Sequence, residues 1–395
     1  MPRLRFDRLI LAFAVLTTVA LAPQTTLAAP RGGARVISEF EVGAEGDFLL
    51  LPLIINQREY PFLVSTGLST TVVDRALASK LDLQELKGSF GKGAKPRFGG
   101  LHSILGAAEL EFPAGVEVSD YSAMQNGLEL DFHGEIGMDV LRSQIVEIDF
   151  DAGTLRFLAA VPPGAGEIIK TTAPNDESGI PTLPVVFPGF PAHRFIVSTA
   201  RAGNSLDITQ KLLTQLEDKS KATILAEEKG VTRSGTLNFK SARVESMQVG
   251  AFHHDGMIAN SSELNAIGLS YLARYVVTLD FPRGRVFLKK GAHFRVPDSR
   301  LEMWAVTVSR ENGTVRVETV GHGPAGRLGL RPGDILESVN GHDVRRTTNW
   351  YLRRVLGRSD LSLTAIVRRG REKLTLTCEP NPIAADVTET REPAK

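Results

Sequence analysis

Apolar and polar positions alternate through much of this chain in short runs separated by Gly, Pro, Asn and Asp, a pattern that predicts strands joined by tight turns. Phe48 to Ile55 and Tyr60 to Val64 flank Gln57-Arg58 and predict a hairpin. It leads into Ser65-Thr66-Gly67, then into the β-branched run Thr70-Thr71-Val72-Val73. Asp74 is an N-cap-type residue ahead of a helix predicted from Arg75 to Leu81, with Ala76, Leu77 and Leu81 on one side. Ile145 to Phe150 and Thr154 to Leu158 predict two more strands, turned by Asp151-Ala152-Gly153.

The pattern then repeats. Arg194-Phe195-Ile196-Val197-Ser198-Thr199-Ala200 copies the strand and turn around Ser65, and Asp207 heads a second predicted helix, Ile208 to Leu216. In both copies an Asp lies nine positions past the Ser (65 to 74, 198 to 207). Gly134-Glu135-Ile136-Gly137 ahead of Ile145 to Phe150 has a partner in Ala266-Ile267-Gly268 ahead of Val276 to Phe281. Internal repeats of this length predict one architecture used twice.

The turn Val64-Ser65-Thr66-Gly67 and its copy Val197-Ser198-Thr199-Ala200 resemble the active-site loops of retropepsin-like aspartic proteases. The two hydrophobic-Gly stretches resemble the family element that packs beneath those loops. The resemblance spans Glu39 to Lys290 and implies a mainly β, bilobal, aspartic-protease-like β-barrel fold built from two internal repeats. It puts Ser65 and Ser198 at the positions of the family's catalytic aspartates. Thr66, Gly67, Thr199 and Ala200 are then cleft scaffold, the threonines bonding across the lobe interface, with Ala200 in place of the second glycine. A β-hairpin flap is implied near the Gly- and Lys-rich stretch Lys87 to Gly100.

Aspartic proteases work through two carboxylates about 3 Å apart that share a proton. A serine hydroxyl does not ionise at neutral or acid pH, so both acids are missing. Asp74 and Asp207 are the nearest carboxylates in sequence, and helix capping accounts for both. Gly203-Asn204-Ser205 lacks the glycines that a trypsin-like nucleophile loop requires after it. His253-His254-Asp255 is read as a solvated turn rather than a metal site, because adjacent strand side chains face opposite ways. No metal and no cofactor is expected.

A third region begins at Phe294. Gly321 to Leu336, with Pro324-Ala325 opening a short helix and Pro332-Gly333-Asp334 turning into a strand, resembles the central motif of PDZ domains. The resemblance covers Phe294 to Pro380. It implies a peptide groove along Trp304, Ala305, Val306, Thr307 and Val308, walled by a helix from Thr347 to Leu356, where a peptide adds as a strand. Leu301-Glu302-Met303-Trp304 occupies the carboxylate-loop position without a glycine.

With 395 residues, 42% hydrophobic and 23% charged, the chain has the composition of an ordinary multi-domain globular protein. The net charge is +1, and Arg3, Arg5 and Arg8 against Asp7 contribute +2 of it at the N-terminus. Such a balance gives no reason to expect a nucleic-acid partner. Those arginines, the apolar run Leu9 to Leu21 and small residues around Ala28 form the pattern of a removable secretory signal. The expected address is therefore periplasmic or extracellular, with no stable membrane insertion after removal. The lone Cys378 has no partner for an internal disulfide. The expected organisation is a signal at 1–28, lobes at 36–160 and 180–291, a linker at 161–179, a PDZ domain at 294–380 and a disordered tail at 381–395. The expected function is a pseudoprotease that binds polypeptide segments or protein C-termini through cleft and groove. The alternatives are an active aspartic-type endopeptidase with a non-standard catalytic arrangement and a structural or assembly protein with no peptide ligand.

Overall fold

The computed structural model describes residues 34–43, 47–87, 95–106, 108–112, 114–171, 178–232, 235–298, 306–321, 323–347, 349–358 and 361–380. The expected signal, the expected tail, residues 88–94 of the expected flap region, and Trp304 and Ala305 of the expected groove lie outside them.

The described chain is mainly β. Leu50–Ile55 and Arg58–Val64 form the predicted hairpin. Its turn holds Asn56 and Gln57 at φ 49° and 63°, the left-handed pair that matches the twist of antiparallel strands. In the first half of the chain a seven-stranded sheet runs Ala108–Glu111, His102–Leu105, Leu50–Ile55, Arg58–Val64, Gly134–Ile136, Val72–Asp74, Glu117–Ser119. In the second half the order is Thr182–Val186, His193–Val197, Ala266–Ile267, Leu206–Thr209, Phe252–Ser262, Gly235–Val249, Ala222–Thr232. A further pairing of Thr182–Val186 with Gly235–Val249 curls this second sheet into a barrel.

Five successive strands of the first order, from Leu50–Ile55 to Glu117–Ser119, match the first five of the second in direction as well as sequence. Gly134–Ile136 runs parallel to Arg58–Val64 and antiparallel to Val72–Asp74, which is parallel to Glu117–Ser119. Ala266–Ile267 runs parallel to His193–Val197 and antiparallel to Leu206–Thr209, which is parallel to Phe252–Ser262.

A six-stranded sheet joins the halves, in the order Val36–Glu41, Thr154–Leu158, Ile145–Asp149, Tyr275–Asp280, Arg285–Lys290, Glu167–Lys170. At its centre Glu147 sits opposite Thr278, its counterpart in the repeat. Each half thus contributes three strands about a local two-fold relation. One apolar core runs through both, from Leu49, Phe62 and Ile148 to Phe195, Leu213 and Leu279.

Three expectations need correction. The stretch 161–179 is not simply a linker, because Glu167–Lys170 pairs with Arg285–Lys290 and buries Ile169. The second helix spans Gln210–Asp218 and its N-cap is Thr209; the β-branched Ile208 and Thr209 extend the preceding strand instead. His253, His254 and Asp255 lie on strand Phe252–Ser262, not in a turn. His253 and Asp255 face solvent 3.2 Å apart, while His254 is buried and its Nε2 lies 2.5 Å from the Tyr275 hydroxyl.

The C-terminal region has its own sheet, Val306–Glu311, Thr314–Val320, Ile335–Val339, Leu363–Arg369, Glu372–Cys378, and its own core. Pro324 opens the short predicted helix Pro324–Arg327. The longer helix spans Asn349–Leu356, and Thr347, expected to open it, ends the preceding short turn instead. Among the described residues no helix is long and apolar enough to cross a membrane.

Candidate functional site

The two Ser-Thr turns meet where the halves join. Each hangs from the same backbone bonds. Val64 N–H donates to Leu49 O at 2.9 Å and Ser65 N–H to Ile136 O at 2.9 Å. Val197 N–H donates to Pro181 O at 2.9 Å and Ser198 N–H to Ile267 O at 3.0 Å. The threonines then cross. Thr66 Oγ1 donates to Val197 O at 2.5 Å and accepts from Thr199 N–H at 3.2 Å. Thr199 Oγ1 donates to Val64 O at 2.7 Å and accepts from Thr66 N–H at 3.1 Å. Both are buried, so these four bonds pair every backbone polar group they reach in a place where water cannot.

Ser65 and Ser198 are 2% and 3% exposed at this junction. A Cβ on Gly67 would stand 3.2 Å from Ser198 Oγ, so the turn bearing Ser65 leans directly on Ser198. Glycine at 67 leaves room for that hydroxyl. The stretches around Gly137 and Gly268 pack closely against the chain that follows each turn. A Cβ on Gly137 would meet the Thr70 carbonyl carbon at 2.4 Å, and one on Gly268 the Asn204 carbonyl oxygen at 2.6 Å. Only glycine lets these backbones touch. Asp139 ties the first stretch up by accepting from Thr71 N–H and Thr71 Oγ1 at 2.9 and 2.7 Å.

The nearby carboxylates are committed elsewhere. Asp74 caps its helix, accepting from Ala76 N–H at 3.0 Å and from Tyr121 N–H at 3.1 Å. Glu135 accepts from the Tyr121 hydroxyl at 2.7 Å. Asp207 is not a cap. It is buried in strand Leu206–Thr209 and is paired with Arg201 and with Asn204 Nδ2. Burial pushes its carboxyl above the ordinary range against the pull of Arg201 and Asn204. In register Asp207 faces Ala266 as Val72 faces Glu135, so Thr209, not Asp207, is the structural counterpart of Asp74.

The second candidate site is the C-terminal sheet edge. Val306–Glu311 pairs only with Thr314–Val320 among the described strands, leaving its other edge open to an added strand. Val306 and Val308 turn into the core and Thr307 is half-buried. Helix Asn349–Leu356 lies beside this strand. Arg310 bridges them, donating to Asn349 Oδ1 at 3.3 Å, Val344 O at 3.0 Å and Thr347 O at 3.0 Å. Residues 316–369 match the family model of the PDZ domain. This region is a PDZ domain. The edge strand ends four residues before the matched stretch and shares its sheet, while the helix lies within the match. No curated protein matches the chain.

The PDZ helix also packs on the first half of the chain. The Trp350 ring lies 4.9 Å from that of Phe48, tilted by 40°, and its Nε1 donates to Asp47 Oδ1 at 2.6 Å. Phe48, Leu63, Tyr121, Phe132 and Trp350 form one apolar cluster. Glu129, from the first half, receives bonds from Asn349 Nδ2 at 2.5 Å and from Arg353. Sequence reasoning missed these contacts, since partners some 220 to 303 positions apart leave no local signal.

Proposed function

We infer that the protein binds polypeptide segments without cutting them. The observation that carries this reading is the PDZ domain at 316–369 with an open strand edge beside a helix, the arrangement that takes an extended peptide by strand addition. Residues 36–291 are proposed to form a retropepsin-like aspartic-protease fold of two lobes. Its support is the crossed Thr66–Thr199 bonds, the matching strand orders and the close-packed Gly137 and Gly268. In this reading Ser65 and Ser198 stand where the acids belong, and Thr66, Gly67, Thr199 and Ala200 are retained scaffold.

Two serines cannot activate water as a carboxylate pair does, and each proton transfer they forgo is worth about 10²–10⁴ in rate. The protein is thus a pseudoprotease whose cleft and groove hold unfolded or extended segments, or protein C-termini. The Arg-rich apolar leader at 1–28 supports export to a periplasm or to the medium. A Ser65→Asp, Ser198→Asp variant tests the cleft. It should gain cleavage of an unfolded protein that an aspartic-protease inhibitor blocks, while the natural chain stays inert. Cleavage by the natural chain would overturn the reading.

A further inference from the structure

The pocket that receives Trp350 is separate from both large cores. Phe48, Leu63, Tyr121 and Phe132 line it, apart from the cluster that runs through the two halves and from the PDZ core. It borders both Ser-Thr turns. Leu63 lies on the strand that leads into Ser65. Leu68, just after Gly67, and Ala202, two residues past Ala200, pack against the same cluster. Among the described residues Trp350 is the cluster's one contribution from the PDZ domain. It is 4% exposed, and Asp47, whose carboxylate accepts its Nε1–H, is 7% exposed. Asp47 also accepts from Phe48 N–H at 2.7 Å, which fixes it in the wall of the pocket. An apolar pocket with a buried acceptor in its wall selects indole over side chains that would merely fill it. Phenylalanine or leucine brings no donor for the carboxylate.

Trp350 can leave this pocket without opening the PDZ core. Its helix neighbours Tyr351, Leu352, Val355 and Leu356 belong to that core. The contacts beside it on the first half, Asn349 and Arg353 with Glu129, are polar. One buried aromatic anchor with polar contacts around it is the anatomy of a separable interface. We propose that this pocket is a tryptophan-binding subsite of the cleft, that Trp350 fills it in the resting chain, and that a polypeptide segment enters the cleft by placing a tryptophan of its own there. The ligand is then an extended segment that carries tryptophan, and its entry frees the PDZ helix from the first half. Cleft and PDZ domain are coupled by competition for one pocket.

The subsite rests on the cleft reading given above, and one experiment keeps the two apart. The chain has two tryptophans, Trp304 and Trp350, so the full chain prepared with fluorotryptophan gives two fluorine NMR signals, and Trp350→Phe assigns them. Three pools of random, C-terminally amidated dodecapeptides are titrated in, differing only at a fixed central Trp, Phe or Ala and free of tryptophan elsewhere. The Trp pool should move the Trp350 signal to the position of a solvent-exposed fluorotryptophan, while the Phe and Ala pools leave it in place. If Trp350 fills the pocket about nine-tenths of the time, Trp350→Ala should bind the Trp pool about tenfold more tightly than the natural chain does. The bond to Asp47 should hold the preference for Trp over Phe at about tenfold in that variant. Should Trp350→Ala fail to fold, the signal of the natural chain decides alone. Peptide binding that is indifferent to the central residue, or that leaves the Trp350 signal in place, overturns the subsite and leaves the cleft reading standing. No binding of any pool to the natural chain or its variants overturns both.

Discussion

Replacing Thr66 by valine removes a hydroxyl and little else, since the two side chains have nearly the same shape. The hydroxyl donates to Val197 O and accepts from Thr199 N–H. Thr66 is 1% exposed, so both orphaned backbone groups stay out of reach of water. Each buried polar group left unpaired costs about 1–3 kcal/mol, and the pair together about 2–6 kcal/mol. Thr199→Val orphans Val64 O and Thr66 N–H instead, and the two-fold relation demands a loss of similar size. Thr66→Ser keeps the hydroxyl and gives up one methyl, at about 1 kcal/mol. Denaturant unfolding of the full chain, followed by circular dichroism and fluorescence together, reads these as midpoint shifts at unchanged slope. If Thr66→Val is no worse than Thr66→Ser, or if only one of the two threonines matters, the crossed bonds do not lock the halves.

Two further predictions test the packing around the site. Gly137→Ala drives a methyl into the Thr70 backbone at 2.4 Å, whereas the tightest contact of Gly67→Ala is the rotatable Ser198 hydroxyl at 3.2 Å; the first should cost about 3 kcal/mol and the second about 1 kcal/mol or less in the same unfolding assay. Burial, with the nearby charges of Arg274, His253 and Lys290 against that of Asp255, holds His254 at about 4. An unfolded histidine titrates near 6.5. Between those values the unfolded chain takes up a proton that the folded chain refuses. Stability from this group is therefore complete above about pH 6.5 and falls as pH drops, by about 3 kcal/mol at pH 4. His254→Gln should flatten that part of the stability–pH curve, and an unchanged slope would refute the assignment.

Much of this fold was legible because alternation and repetition are local properties of a chain. Leu50–Ile55, Arg58–Val64 and the helix capped by Asp74 follow from apolar period and capping chemistry alone. Equal spacing misled at Asp207, because the second turn needs two more residues before its strand enters the sheet. Asp207 therefore falls on the strand position of Val72, and Thr209 inherits the cap. Glu167–Lys170 was hidden by its brevity: its four residues at a sheet edge, Glu-Ile-Ile-Lys, bury only Ile169 and show no alternation. The Thr66–Thr199 exchange joins residues 133 positions apart, so no local window of sequence shows it. The seats of Trp350 and Arg353 on the first half depend on how two cores come together, which no window of sequence encodes.

The most direct test of the central claim is to mix the full natural chain with a reduced, alkylated, unfolded protein from acid to neutral pH and follow both by size-exclusion chromatography and mass spectrometry. The unfolded protein is predicted to co-elute with the chain at full length. Fragments of it, or its elution apart from the chain at every pH, would contradict the account.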